Sequence, residues 1–142
     1  MDMAVILKLH IFAIAFWLGV LGVEFIIEQG RALNEAHRYA VAQQHFKIDM
    51  FFEMPAFILA LVTGLLLIDP SQSSPLYWTK IGLGLIAVTG NIICLVPITL
   101  RKFAADKDSR KDVLRHSRTV DRISAVAVPA GLLALVVGAV LR

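Results

Sequence analysis

The chain has a single cysteine, Cys94, so no intrachain disulfide can form, and the thiol reads as a small packing residue. Charge is scarce too. Of 142 residues 18% are charged and 58% are hydrophobic, with a mean hydropathy of +0.74. That balance is too apolar for a small soluble domain, and the length leaves room for one compact domain. The opening Met-Asp-Met lacks a basic region, and the apolar run behind it continues to about 25 residues without a small-residue cleavage site. It reads as a retained helix rather than a signal peptide. No nucleophile is paired with a base, and neither a phosphate-cradling glycine loop nor a dinucleotide fingerprint is present. No reaction can therefore be read from a motif. Internal repeats and low-complexity segments are absent as well.

What the sequence does have is four apolar segments, 3–27, 48–68, 76–98 and 120–141. Each is near the ~20 residues a helix needs to cross ~30 Å of hydrocarbon. The expected fold is an all-α integral membrane protein, an antiparallel four-helix bundle forming one transmembrane domain. Ten of the fourteen basic residues fall in the first and third loops, among them Arg31, Arg38, Arg101 and Arg118, and none falls in 69–75. The positive-inside rule then puts loops one and three in the cytoplasm and both termini on the other side, in a bacterial-type inner (plasma) membrane. The net charge of +3 belongs to this asymmetry. It fits anionic lipid and gives no case for nucleic acid. Loop three mixes Asp106, Asp108 and Asp112 with its bases and reads as a solvated stretch. Loop one, 31–46, is rich in Ala and Gln without Gly or Pro and reads as a helical continuation or an interfacial helix. The breakers Asp69, Pro70 and Pro75 make segments two and three a hairpin.

Within these segments lie His10, Glu24, Asp49, Glu53, Lys80, Asn91, Asp121 and Arg122. Ionisable groups at membrane depth are costly and are by default functional candidates. His10, Trp17 and Glu24 recur every seven residues and share a face within about 20° per step. Asp49, Glu53, Ala56 and Ala60 form a stripe on segment two, and Lys80, Gly84, Ala87 and Asn91 one on segment three. On segment four, Ser124, Ala127, Gly131, Ala134 and Gly138 would let another backbone approach closely, in this bundle or in a homodimer.

Depth divides the list. His10 and Glu24 are 14 residues apart, about 21 Å along a helix. His10 and Lys80 belong to the outer leaflet; Glu24, Asp49, Glu53, Asp121 and Arg122 belong to the inner one, with Asn91 near the middle. In the inner group His45, Asp49 and Glu53 follow i, i+4, i+8 spacing, and Glu24 and Glu28 can approach from segment one. Imidazole and carboxylate together suit Zn, Mn or Fe, and facing helices with ligands at single-turn spacing are how bundle metal sites are built. The metal reading takes Glu24, His45, Asp49, Glu53, Asp121 and Asn91 as ligands. The plainer alternative is that Asp49, Glu53 and Asp121 neutralise Arg122, Arg101 and Lys47 at the cytoplasmic boundary, and a proton path is a third. In the outer group a lone His is a packing residue, an axial haem ligand or a proton carrier, and Lys80 can snorkel beside Tyr77 and Trp78.

The first segment, with Lys8, Leu9-His10, Ala13 and Trp17, resembles the opening helix of the HemJ family and, more loosely, CopD-type membrane domains. Pro55-Ala56, Ile58-Leu59 and Gly64-Leu65 are similar in order and spacing to its second helix, with Trp78 and Lys80 in the third and Arg122 and Pro129 in the fourth. An uncharacterised family of small four-helix membrane proteins, with an Asp shortly before a Pro-Ala, looks closer still. The HemJ resemblance implies a haem b redox protein that oxidises protoporphyrinogen, with His10 as axial ligand, Lys80 beside the cofactor and Trp17 walling the pocket. Asn91 stands where that family has a later His, no Glu precedes Pro129, and Asp49 and Glu53 have no counterpart. Three expectations follow: a membrane haem protein, possessing oxidoreductase activity if it is an enzyme at all; a divalent-metal-binding or cation-transport protein; or a non-catalytic accessory bundle docking on another membrane subunit.

Overall fold

A computed structural model describes residues 2–141, and among them every element is helical. Helix α1, Met3–Gln29, starts at Asp2, whose carboxylate accepts the Ala4 N–H at 3.0 Å. A 3-10 turn, Gly30–Ala32, leads to Asn34, which caps α2, Glu35–Ile48, by accepting the His37 N–H at 2.9 Å. Helix α2 runs through a π-helical turn, Asp49–Glu53, into α3, Met54–Leu66. The turn has a local cause. Pro55 has no N–H to give and its ring would crowd the carbonyl of Phe51 in a regular helix. The wider turn, in which the Met54 N–H reaches the Asp49 carbonyl, passes this point without breaking the rod.

Helix α4, Pro75–Asp106, begins at a proline, where a missing N–H costs nothing, and α5, Arg110–Val140, returns beside it. The connection is a Schellman-type stop: Asp108 takes φ 53°, its N–H bonds the Ala105 carbonyl at 3.1 Å and the Ser109 N–H bonds the Ala104 carbonyl at 2.9 Å. At the other end of the bundle Asp69 accepts from the Ser71 N–H at 3.0 Å and from its hydroxyl at 2.7 Å, and these bonds hold its carboxyl below the usual range.

Four helical rods, 3–32, 35–66, 75–106 and 110–140, are long and apolar enough to cross a membrane. They outrun the apolar segments. Loop one is helical from Glu35 onward. The stretch from Ile98 to Val120, expected to be solvated, is instead two helical extensions around a short turn, because no Gly or Pro interrupts 98–119. Its inner face is buried: Ala104, Ala105 and Val113 pack on Ala42 and Tyr39 of α2. Hydropathy marks where lipid would end, whereas a helix ends where its backbone is stopped.

Helix α1 packs on α3, α4 lies along α5, and α2 crosses α4, while the α3–α4 contact is slight. The small-residue stripes form the α4–α5 seam: a methyl added at Gly90 would sit 2.5 Å from Ala127 Cβ, and one at Gly131 3.3 Å from Ala87 Cβ. Outward, the surface is apolar, with Phe12, Phe25, Ile26, Phe51 and Val126 all exposed. Exposed large apolar side chains on every rod suit hydrocarbon as solvent rather than water.

Candidate metal centre

The polar interior is concentrated at the end of the bundle where α1 finishes and α2 passes into the π turn. Glu24 comes from α1, His45 from the last turn of α2, and Asp49 and Glu53 from the π turn; all four are buried, Asp49 with no exposed surface. The His45 imidazole is the hub. Its Nε2 lies 3.3 Å from Asp49 Oδ1 and 3.7 Å from Glu24 Oε2. Its Nδ1 meets Glu28 Oε1 and lies 2.7 Å from Arg101 Nη2, which itself donates to Glu28 Oε1 at 2.8 Å. Arg101 is 1% exposed and reaches in from α4.

Glu24, His45 and Asp49 each offer one ligand atom, all within 4.8 Å of one another. A tetrahedral ion with bonds of 2.0–2.1 Å sets its ligands about 3.3 Å apart, so the 3.3 and 3.7 Å separations from His45 Nε2 need only small adjustment. The second nitrogen has two partners of opposite kind, the Glu28 carboxylate that accepts and the Arg101 guanidinium that donates. With its proton on Nδ1, His45 donates to Glu28 and turns the Nε2 lone pair toward Asp49 and Glu24, the arrangement in which an outer carboxylate orients a ligating imidazole. With its proton on Nε2, it faces Asp49, and Nδ1 accepts from Arg101.

Several buried atoms lack hydrogen bonds: Glu24 Oε1, both oxygens of Asp49, Glu28 Oε2 and Arg101 Nε. His45 is close enough to Asp49 for Coulomb attraction yet not aligned to bond it. Four carboxylates, Glu24, Glu28, Asp49 and Glu53, thus face one fully buried guanidinium, with Arg31 at the rim 3.1 Å from Glu28 Oε2. Buried carboxylates are normally paired or hold a cation, and Asp49 has neither satisfied oxygen nor dedicated base.

Glu53 is set apart by its own donors. Trp17 Nε1 donates to its Oε1 at 2.9 Å, and the Asn91 amide donates to the same oxygen. Trp17, assigned by resemblance to the wall of a His10 pocket, therefore serves the inner centre, where it also packs on Phe57, Ala56 and Ala87. Asn91 bonds a carboxylate through its amide nitrogen rather than offering oxygen to the three-ligand group. Asp121 departs further: its side chain is 49% exposed and pairs with Arg31 Nη2 at 2.9 Å, outside the ligand group. Arg122, expected in the interior, is exposed. The alternative pairing of Asp49 with Arg101 does not form either, since Arg101 turns to Glu28.

His10 of α1 sits apart, packed against α3. Its Nδ1 is 3.0 Å from the Ala60 carbonyl and 3.0 Å from Thr63 Oγ1, and the ring lies over Gly64, where an added methyl would come 2.9 Å from Cε1. The Thr63 hydroxyl already donates to Leu59, so Nδ1–H is the donor and Nε2 is left with a lone pair. Lys80 lies against Gly138 of α5, and among the described residues no hydrogen bond or ion pair joins it to His10.

Arg101 and Glu28 belong to the centre in roles other than those that spacing suggested: Arg101 pairs with Glu28 rather than with Asp49, Glu53 or Asp121, and Glu28 bonds His45 rather than joining the three-ligand group. The signal for Arg101 is its place in the series Cys94, Ile98, Arg101, Ala105, one buried stripe that ignores the edge of the apolar segment. No family model, curated protein or solved structure matches the chain.

Proposed function

We propose that this is a multi-pass membrane protein of a bacterial-type plasma membrane whose cytoplasmic half binds a divalent metal ion of the Zn, Mn or Fe class on Glu24, His45 and Asp49. One observation carries the reading: Asp49 is wholly buried with both carboxylate oxygens unbonded, and a buried imidazole nitrogen lies 3.3 Å from one of them. An ion bridging Glu24, His45 and Asp49 would give Asp49 a partner for one of its unbonded oxygens and offset the excess negative charge. Glu28 would orient His45 and Arg101 would hold Glu28. With three protein ligands one coordination position stays open, which suits reversible uptake and release. The test is elemental analysis of protein purified without chelator. About one equivalent of a divalent transition metal is expected, lost in His45→Ala; a metal-free protein that takes up none on titration with Zn, Mn or Fe rejects the reading.

A haem b redox role is the second reading, and the His10 ring favours it. An imidazole with Nδ1–H fixed on a backbone carbonyl presents Nε2 as a ligand nitrogen, and bound haem would supply one-electron chemistry there. Trp17, bonded to Glu53, does not wall such a pocket. Haem-replete expression followed by an absorption spectrum tests it: a Soret band removed by His10→Ala is required, and a colourless protein ends it.

A further inference from the structure

A second concave site lies at the same end of the bundle and has the opposite charge. A cleft of about 270 Å³ opens between the 3-10 turn, the start of α2 and the first turns of α5, lined by Arg31, Arg38, Ser117, Arg118, Leu114 and Asp121. Three guanidiniums face one carboxylate there, and Asp121 is taken by Arg31. Arg38 and Arg118 have no hydrogen-bond or ion-pair partner among the described residues. Arg31 Nη1 is a buried donor without a hydrogen bond, since its 3.1 Å approach to Glu28 lacks the alignment. Ser117 contributes a hydroxyl from a buried position.

Unspent guanidinium donors around a small polar cleft are the chemistry that recognises phosphate, because the planar fork matches its oxygens. The level of the cleft narrows the source. It lies where the apolar run of α5 gives way to the basic stretch before Val120, and beside Phe25, Ile26 and Leu33 in sequence, all about 70% exposed. Such a boundary between hydrocarbon and a basic surface is where anionic phospholipid headgroups sit.

We propose that this cleft binds the phosphate of an anionic phospholipid, with Arg38 and Arg118 as the free donors and Arg31 as the link between the headgroup and the buried carboxylates. Arg31 contacts Glu28 on one side and Asp121 on the other, so a phosphate competing with Asp121 for Arg31 would be felt at the carboxylate that orients His45.

The test uses the full chain in phosphatidylcholine bilayers with spin-labelled phosphatidylglycerol or spin-labelled phosphatidylcholine as probe, read by the immobilised fraction of the spectrum. The wild type should favour phosphatidylglycerol, and the pair Arg38→Gln and Arg118→Gln should lose about five-fold per arginine removed. The control pair Lys107→Gln and Lys111→Gln removes the same charge from the exposed α4–α5 turn and should keep the preference. Equal loss in both pairs would mean diffuse surface charge and overturns the site, as does no preference in the wild type. Displacement of the lipid by millimolar inorganic phosphate overturns the lipid assignment in favour of a soluble phosphate. Arg118→Gln alone, on an exposed side chain, gives the same direction should the double variant misfold.

Discussion

Replacing Asp49 by Asn separates a ligand from a structural ion-pair partner. The swap keeps size and shape in a site with no exposed surface, so packing is unchanged and only the charge is removed. In the metal reading Asn is a poor third ligand. A site occupied at one hundred times its dissociation constant stabilises the fold by ~2.7 kcal/mol, and a thousand-fold weaker site at the same metal concentration by under ~0.1 kcal/mol. The difference corresponds to roughly 5–10 °C in a chain of this size. The assay is thermal unfolding in detergent, followed through the near-ultraviolet signal of Trp17, with zinc or manganese and with a chelator. Trp17 is a fitting reporter because its indole bonds Glu53, one turn from Asp49. The wild type should show the metal-dependent shift and Asp49→Asn should show none, the two chains differing little with chelator present. Should Asp49 instead be the indispensable partner of His45, its loss would cost about 3–5 kcal/mol with or without metal. Equal destabilisation in both conditions, or a retained metal shift, refutes the assignment.

Three other outcomes follow from the same geometry. Glu28→Gln leaves the three ligands in place but weakens the anchor on His45 Nδ1, and metal affinity should fall about 10–100-fold by calorimetric titration. Gly90→Ala puts a methyl 2.5 Å from Ala127 Cβ and should destabilise the α4–α5 pair by about 1–3 kcal/mol in detergent unfolding, whereas Gly82→Ala, with open space around it, should not. Asp108→Gly relieves a left-handed backbone at φ 53° and should stabilise the chain by about 1 kcal/mol, since the Tyr39 hydroxyl, which also bonds Glu35 Oε1 at 2.6 Å, reaches Asp108 at its backbone carbonyl, which glycine retains.

Much of the architecture was legible in the residues because lipid imposes a simple rule: about 20 apolar residues per crossing, with ionisable groups turned inward. Helix ends were not legible by that rule. The stretch 98–119 is polar, yet it carries no Gly or Pro and stays helical except at the turn Lys107–Ser109. The site was legible where it rests on one helix. His45 and Asp49 are one turn apart in sequence and meet in space, and Glu24 sits at the matching end of α1. It was illegible where it depends on how far one helix slides along another. Asp121 shares the depth of the cluster but turns to Arg31, Trp17 shares a face with His10 but crosses to Glu53, and Arg101 enters from beyond the apolar segment. Spacing along a helix fixes a face, while the partner opposite that face is set by interhelical register.

The position of the centre also bears on what holds the bundle together. Helices α1 and α3 form one close pair and α4 and α5 another, and the direct α3–α4 contact is slight. The pairs are joined by the cluster of Trp17, Ala56 and Phe57 with Ala87 and Val88, and at the α2 end, where Phe46 packs on the cluster of Cys94, Ile98 and Val120 and where Arg101 of α4 reaches Glu28 and His45. A membrane gives no hydrophobic drive for pairing helices, so polar contacts and close packing must supply the association. An ion on Glu24, His45 and Asp49 would tie α1 to α2 and, through His45, Glu28 and Arg101, to α4. Without it, the same place would hold several unsatisfied carboxylates, and the joint between the two helix pairs would be where the bundle is weakest. Were a metal bound there, its release and the separation of the two pairs at that end would be coupled through His45 and Glu28, which join the ligand group to Arg101.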